Sequence, residues 1–277
     1  MPGPRDEAYP GTLRLAVDAS DVDRRVFKIH EDIPVSRAGD LVLLYPRWLP
    51  GTHAPEGSID RFAGLVVEAG GSRLAWVRDT VDVYAFHTPV PAGTKAIAVD
   101  FQYLSATSRA VGPQEVGRSL LVLDWVSAVL YPAGYFTRQI PVEASMRVPE
   151  GWRIASALDV ASAKGAMTTF KTVPLETLAD SPVHAGRYYK RYDLAPGSKV
   201  PVALDVMADR ADLVDIKPAL IDLHRALVEQ AYGPHSCVVA STVTARARRS
   251  TASVAVAIAW CSPINPASTG PRSRTRA

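Results

Sequence analysis

An alternation of apolar and polar residues at period two runs through most of residues 12–207 and constrains the fold more than any other feature. Leu13, Leu15 and Val17 begin it. Such spacing places apolar side chains on one face of a half-buried strand. The pattern recurs at Val81/Val83/Ala85, Ile97/Val99/Phe101/Tyr103, Val142/Ala144/Met146/Val148 and Val200/Val202/Leu204/Val206. The runs 41–46 and 119–131 are more continuously apolar, which suits strands covered on both faces.

Glycine and proline separate these runs, as in Gly70-Gly71-Ser72 and Pro149-Glu150-Gly151. Many short strands divided by turn signals are typical of antiparallel all-β domains. The sequence therefore predicts a mainly β protein, with an antiparallel β-sandwich or saddle over about residues 8–207.

The period changes after residue 208. One apolar row is spaced 3, 4, 3 and 4 residues apart, and it consists of Leu213, Ile216, Leu220, Leu223 and Leu227. This spacing predicts one amphipathic α-helix over about 210–232. Pro218 either sits in its first turn or bends it.

Residues 234–277 differ from the rest in composition. Ala, Ser and Thr make up 21 of these 44 residues, and Leu, Lys, Asp and Glu are absent. Such a segment buries too little apolar area to offset the entropy of ordering it, so we expect a disordered tail. A frameshift near Gly233 would explain the change of composition, and a natural low-complexity tail is the alternative.

The charge distribution excludes several classes of protein. The tail holds six Arg, so residues 1–233 carry 25 basic and 28 acidic groups, and no basic face for nucleic acid is expected.

The two cysteines, Cys237 and Cys261, both lie in the tail, which excludes a thiolate metal site in the body. No apolar segment resembles a signal peptide or a membrane span, so we expect a cytoplasmic chain that has no membrane partner.

Four segments, in order, carry a family resemblance. They are Tyr45-Pro-Arg-Trp-Leu-Pro-Gly-Thr-His53, the stretch 123–158 that ends in Pro149-Glu-Gly-Trp-Arg-Ile-Ala-Ser-Ala-Leu158, the segment Leu178-Ala-Asp-Ser-Pro-Val-His-Ala-Gly186, and the helix end Gln230-Ala-Tyr-Gly233-Pro234-His235. Together they resemble the N-terminal domain of the family-sixty-one zinc metallopeptidases, the glycyl aminopeptidase family.

The resemblance implies three parts: a peptidase N-terminal β domain at 8–207, a helix at 208–233 that opens a missing catalytic domain, and the tail at 234–277. The family's zinc site requires two His one helical turn apart, a third carboxylate ligand and a general base. This chain lacks that motif. Its His30-Glu31 pair has no second His four residues on. We therefore expect no metal site, no cofactor and no catalytic residue in this chain, although full-length relatives use zinc. The expected partners are the missing catalytic domain and a peptide.

The candidate residues for a substrate cleft or domain interface are Trp48, Gly51, His53, Asp180 and Ser181. Trp48 either lines a peptide cleft or, as a Trp bracketed by prolines, plugs one end of the sandwich. Asp180 and Ser181 suit turn chemistry better than ligand contact. A triad of Asp180, Ser181 and His184 lacks a nucleophile elbow and is not expected to work.

The alternative function is a free-standing β-sandwich module that binds peptide or carbohydrate through the Trp48 loop and Tyr188, Tyr189 and Tyr192. The leucine row of the helix separates the two functions. An independent module would bury the row on the sandwich, whereas a domain that lacks its partner would leave it exposed.

Overall fold

A computed structural model describes residues 1–48, 54–55, 57–106, 116–198, 201–231, 242–243 and 254–260. Twenty strands and two α-helices form these parts, together with four short 3-10 turns. The predicted mainly β fold, with one amphipathic helix after it, is confirmed. No helix in the described ranges is both long enough and apolar enough to cross a lipid bilayer.

The strands, in chain order, are β1 (Leu13–Asp18), β2 (Val26–Pro34), β3 (Gly39–Leu44), β4 (Phe62–Ala69), β5 (Ser72–Leu74), β6 (Val77–Arg78), β7 (Ala85–Val90), β8 (Ala96–Leu104), β9 (Leu120–Leu123), β10 (Tyr131–Pro132), β11 (Pro141–Arg147), β12 (Arg153–Ala155), β13 (Val160–Lys164), β14 (Met167–Phe170), β15 (Val173–Pro174), β16 (Val183–Gly186), β17 (Tyr188–Asp193), β18 (Val202–Ala208), β19 (Thr242–Val243) and β20 (Val254–Trp260). The helices are α1 (Leu175–Ala179) and α2 (Pro218–Ala231).

The strands form four sheets. The largest has the order β13-β14-β11-β1-β2-β8-β4-β5, with β15 paired to β11. The smaller sheets are β10-β3-β7-β6, β12-β16-β9 and β17-β18-β20-β19. Within the described ranges one pair of strands is parallel, because β1 runs parallel to β11 from Leu13↔Val142 to Asp18↔Arg147, and the other strand pairs are antiparallel. An isolated bridge between Arg5 and Tyr135 is also parallel.

The predicted alternation explains the main core. Leu13, Leu15 and Val17 of β1 are buried. So are the alternate residues Phe27, Ile29 and Ile33 of β2, Ile97, Val99, Phe101 and Tyr103 of β8, and Val142, Ala144 and Met146 of β11. They join one cluster with Trp125 and Phe170, whose rings meet edge to face at 5.9 Å.

Two predicted strands differ in the structure. Val81 and Val83 are exposed and lie in a turn, because the Asp79 carboxylate accepts the backbone N–H groups of Val81 and Asp82 at 2.8 and 2.9 Å. The run 119–131 is not one strand but β9, a 3-10 turn at Trp125–Ser127 and β10.

A second, smaller core follows the first. It contains Leu194 and the alternate residues Val202, Leu204 and Val206 of β18, packed against Val228 of α2. Pro218 is the first residue of α2, so the first-turn alternative is confirmed. The predicted start at about residue 210 is wrong, because Leu213 lies in a 3-10 turn and Ile216 packs on the second core before the helix begins. Gly186 of β16 packs closely against β18, because a Cβ there would come within 3.3 Å of the Met207 side chain.

Only two segments of the predicted disordered tail are described, and both are strands. Seven residue pairs join β20 to β18, from Val202↔Trp260 to Ala208↔Val254, and two pairs join it to β19. The other tail residues lie outside the described ranges.

Glu31 is a buried acid in the main core. Its side chain lies on the core face of β2, and its Oε1 accepts the backbone N–H of Leu130 at 2.7 Å. Its Oε2 has no partner among the described residues. Desolvation by burial raises the pKa of Glu31 well above its usual range, more than the Leu130 N–H lowers it. The folded protein therefore favours the neutral carboxyl group.

This raised pKa predicts a pH-dependent free energy of unfolding. Below about pH 4.5 the carboxyl group of Glu31 is protonated in both the folded and the unfolded protein. Above this pH the unfolded chain loses the proton, whereas the folded protein keeps it. The free energy of unfolding therefore falls as the pH rises towards the pKa of the folded state. Glu31→Gln keeps an acceptor for Leu130 and has no proton to lose. We expect this variant to be more stable than the parent at pH 7 and to lack the decline, measured by urea unfolding from pH 4 to 8. Glu143→Gln, on the exposed face of β11, is the control and should keep it.

Candidate functional site

A cavity of about 500 Å³ adjoins Trp48. It lies between the end of β3, the 126–131 segment and the first turn of α1. Its apolar walls include Leu44, Tyr45, Tyr84, Val126, Val129, Tyr131 and Leu175. The charged groups that line it are Arg47, Asp82 and Glu176. A volume of this size with few polar groups fits a peptide side chain or a small organic group.

Trp48 lines the cavity and is 59% exposed. This exposure favours the cleft interpretation over a plug at the end of the sandwich, and the role of Trp48 stays a prediction. Gly51 and His53 lie outside the described residues.

Ion pairs hold one wall of the cavity in place. Arg47 Nη1 donates to Asp82 Oδ2 at 3.0 Å, and Tyr84 donates to the carbonyl of Gly57 at 3.0 Å. Asp82 belongs to the turn that Asp79 organises, and the amides of Asp82 and Val81 and the His87 ring hold the pKa of Asp79 down at about 2.

His87 connects this turn to β3. Its Nδ1 lies 2.8 Å from Asp40 Oδ2, and its Nε2 lies 3.0 Å from Asp79 Oδ2. Hydrogen bonds to these two carboxylates raise the pKa of His87. The charge network therefore fixes the turn that supplies Asp82 and Tyr84 to the cavity.

Asp180 and Ser181 do not line this cavity. Ser181 is buried, its Oγ donates to the carbonyl of Thr177 at 2.7 Å, and its own carbonyl accepts the indole N–H of Trp125 at 3.0 Å. Asp180 is the C-cap residue of α1, and its backbone N–H bonds back into the helix. The turn interpretation of Ser181 agrees with these bonds.

His184 is buried in β16, and neither ring nitrogen has a partner among the described residues. It therefore makes no hydrogen bond to Ser181 or Asp180, and the triad is not assembled. Desolvation lowers the pKa of His184 to about 4. The described residues also contain no cluster of three His, Cys, Asp or Glu side chains that fits a metal ion.

The three tyrosines of β17 do not form one platform. Tyr189 donates to the buried Asp205 at 2.7 Å, on the side of β18 that faces Ala155. Tyr192 packs in the second core, donates to the carbonyl of Val214 at 3.0 Å and accepts the N–H of Ile216 at 3.1 Å. Because the strand alternates, Tyr189 and Tyr192 lie on opposite faces.

Sequence reasoning found Trp48 but missed Asp82 and Glu176. Arg47 stands inside the quoted motif, so its position was a usable signal. Asp82 and Glu176 are distant along the chain and become neighbours of Trp48 only in the folded protein.

The buried Ser181 hydrogen bond and the exposed Trp48 ring predict different effects on stability. Ser181→Ala leaves the Thr177 carbonyl without this donor and should lower the free energy of unfolding by about 1 kcal/mol. Trp48→Ala should change it by less than about 0.5 kcal/mol, because little of the ring is buried. Urea denaturation measures both. A cost of about 3 kcal/mol or more for Trp48→Ala would contradict the exposed position, since such losses are typical of core aromatics.

His184 predicts a loss of stability at acid pH. Between pH 6.5 and about 4, His184 binds a proton in the unfolded chain but not in the folded protein, where the ring is buried. The free energy of unfolding therefore decreases by about 3 kcal/mol as the pH falls through this range. His184→Leu removes the ionisable group and fits an apolar surrounding. We expect this part of the pH profile to flatten in the variant, whereas His224→Leu, on the helix surface, should leave it unchanged. An identical acid slope in parent and His184→Leu would contradict the assignment.

Comparisons with known proteins agree with this architecture. Residues 14–187, from β1 to the end of β16, match the family model described as the peptidase M61 N-terminal domain. A search of curated protein sequences finds none that matches the chain.

Among solved structures, an aminopeptidase N family protein from Idiomarina loihiensis superposes with a TM-score of 0.57 at 17% identity, over 67% of this chain and 31% of that chain. Yeast LTA4 hydrolase (TM-score 0.38, 10% identity, 67% and 30% of the two chains) and an M1 zinc metallopeptidase from Deinococcus radiodurans (TM-score 0.39, 13% identity, 69% and 48%) are also similar. The chain thus spans about a third of the length of the Idiomarina relative. Because the family model covers more than half of the sequence, the chain belongs to the family of peptidase M61 N-terminal domains.

Proposed function

We propose that this chain is the accessory N-terminal unit of a glycyl-aminopeptidase-like zinc metallopeptidase, and that it docks against a catalytic domain without catalysing hydrolysis by itself. The observation that carries the proposal is a row of exposed leucines on α2. Leu220, Leu223 and Leu227 are 42%, 56% and 54% exposed.

These leucines form one stripe, because their spacing of three and four residues places them on one helical face. The face of α2 that does pack is offset by one residue and contains Ile221 and Val228. The helix therefore has two adjacent apolar faces, of which only one is covered by other residues that the structure describes. Three large aliphatic side chains in water are costly, at about 1.5–3 kcal/mol each relative to full burial. A second domain that covers the stripe would recover this free energy.

The division into two cores supports the same proposal. The family match ends at residue 187, and β17 begins at Tyr188. The residues of β17, β18 and α2 build the separate second core. We therefore place the start of the docking unit at 187/188 and not at 207/208, because β17 and β18 pack with α2.

Catalysis by the described residues alone is not expected. His30 is exposed and lies 2.8 Å from Asp100, whereas Glu31 points into the core. Neighbouring residues of a strand face opposite sides, so this pair cannot bind one metal ion together. In the proposed assembly the catalytic domain supplies the metal site, and the cavity beside Trp48 contributes a wall that receives part of the peptide.

A free-standing peptide-binding module is the second candidate. The exposed Trp48 ring beside a cavity of about 500 Å³ favours it. The uncovered leucine stripe favours the accessory unit, since an independent module has no use for a second apolar helix face.

The test is reconstitution with the separately produced catalytic half of a family member. We expect the 277-residue chain to bind this half in isothermal titration calorimetry. The triple variant Leu220→Ser, Leu223→Ser, Leu227→Ser should bind at least about tenfold more weakly, because it removes apolar area from the interface. A released-glycine assay with added zinc should show no turnover by the chain alone.

The matched control is Val77→Ser with Val160→Ser, two exposed valines on other strands of the N-terminal unit. It should bind like the parent. Equal binding by the triple variant would refute the docking surface, and metal-dependent turnover by the chain alone would refute the assignment as an inactive unit. Peptide binding by the chain that the catalytic half does not affect would favour the second candidate.

A further inference from the structure

The second edge of β18 needs a strand beside it. One edge pairs with β17 over six residue pairs, from Tyr188↔Ala208 to Asp193↔Ala203. In the described part of the chain the other edge pairs only with β20. In sequence, β20 begins more than twenty residues after the end of α2, and β19 lies between them. The edge is therefore occupied by a distant segment and not by a neighbouring hairpin.

This edge carries none of the devices that keep sheet edges from pairing. Six of the seven residues of β18 are buried. Its one charged residue, Asp205, is bound by Tyr189 and by Arg191 Nε at 2.9 Å, so its charge is already paired. The strand has no Lys, no Pro and no bulge. A flat apolar strand of this kind pairs readily with another extended chain.

The register shows which residues of β20 stand opposite each row of β18. Val256, Ile258 and Trp260 stand opposite Val206, Leu204 and Val202, the row that packs towards α2. Alanines stand opposite the other row, at Ala255↔Met207, Ala257↔Asp205 and Ala259↔Ala203. That row of β18 packs towards Ala155 and holds the paired Asp205. Residues that stand opposite each other on one face of a sheet interact directly, so each restricts the side chains that suit the other position.

We propose that the β18 edge is a strand-acceptor site for an extended peptide in which large apolar residues alternate with small ones. Main-chain hydrogen bonds supply the affinity, and the two rows supply the selectivity. In the chain itself β20 occupies the site and competes with any peptide from outside. Tethering gives β20 an effective concentration of about millimolar, which a free peptide at micromolar concentration does not overcome.

The experiment uses the full chain with Ala257→Pro and Ile258→Pro. Two adjacent prolines remove at least one N–H that points to β18, because successive amides of a strand point to opposite sides. The probe is a fluorescently labelled peptide with the sequence of residues 253–260 and two added lysines for solubility. We expect anisotropy to show binding to the double-proline chain at least about tenfold tighter than to the parent, since β20 no longer competes.

Two control peptides test the mode of binding. A peptide with proline at the position of Ala257 should not bind, and one with isoleucine at the positions of Ala257 and Ala259 should bind at least about tenfold more weakly. Equal binding of all three peptides would overturn the proposal, because it would indicate non-specific apolar contact. Absence of binding to a double-proline chain that keeps the circular dichroism spectrum of the parent would overturn it as well.

Hydrogen exchange on the unmodified chain provides a second measurement. We expect slow exchange in residues 202–208, and excess peptide should speed exchange in 254–260 while 202–208 stay protected. Fast exchange of 202–208 both with and without peptide would refute a strand at this edge.

Discussion

The structure depends on the burial of one face of the largest sheet. Alternate residues of β1, β2, β8 and β11 point into a common interior that also contains Trp125 and Phe170. Because each of these strands has one apolar row, a slip of one residue would expose the whole row to water. The pairing register is therefore fixed by burial. Glu31 is a buried acid on this otherwise apolar face, and its carboxyl group accepts one backbone hydrogen bond from Leu130.

Periodicity predicted the fold class because it reports directly on burial. Periodicity gave a wrong prediction where a polar side chain bonded backbone groups that a strand would use for pairing. The Asp79 carboxylate accepts the N–H groups of residues 81 and 82 and so forms a turn there. Periodicity also found the leucine row of α2 but could not show which face would pack. That choice is set by Tyr192, whose hydroxyl bonds the chain just before the helix and so fixes its rotation. Tertiary contacts of this kind leave no local trace in a sequence.

The candidate site was predictable only in part. Trp48 lies in the family motif at 45–53, so the sequence alone identified it. Ser181 lies in a turn, which the tendency of Asp and Ser side chains to bond turn amides predicts. The cavity beside Trp48, however, takes Asp82 and Glu176 from distant segments. Their meeting requires the folded sheet β10-β3-β7-β6 and the position of α1.

The parallel pairing of β1 with β11 has a consequence for the order of folding. The first strand finds one of its two neighbours more than a hundred residues later, at Val142–Arg147. During synthesis, β1 can form its hairpin with β2 early, but its other side stays open until β11 has left the ribosome. Contacts of such long sequence separation slow folding and prolong the time during which apolar strands are unprotected. The second edge of β1 is therefore open to incorrect pairing for as long as it takes to synthesise the residues up to β11.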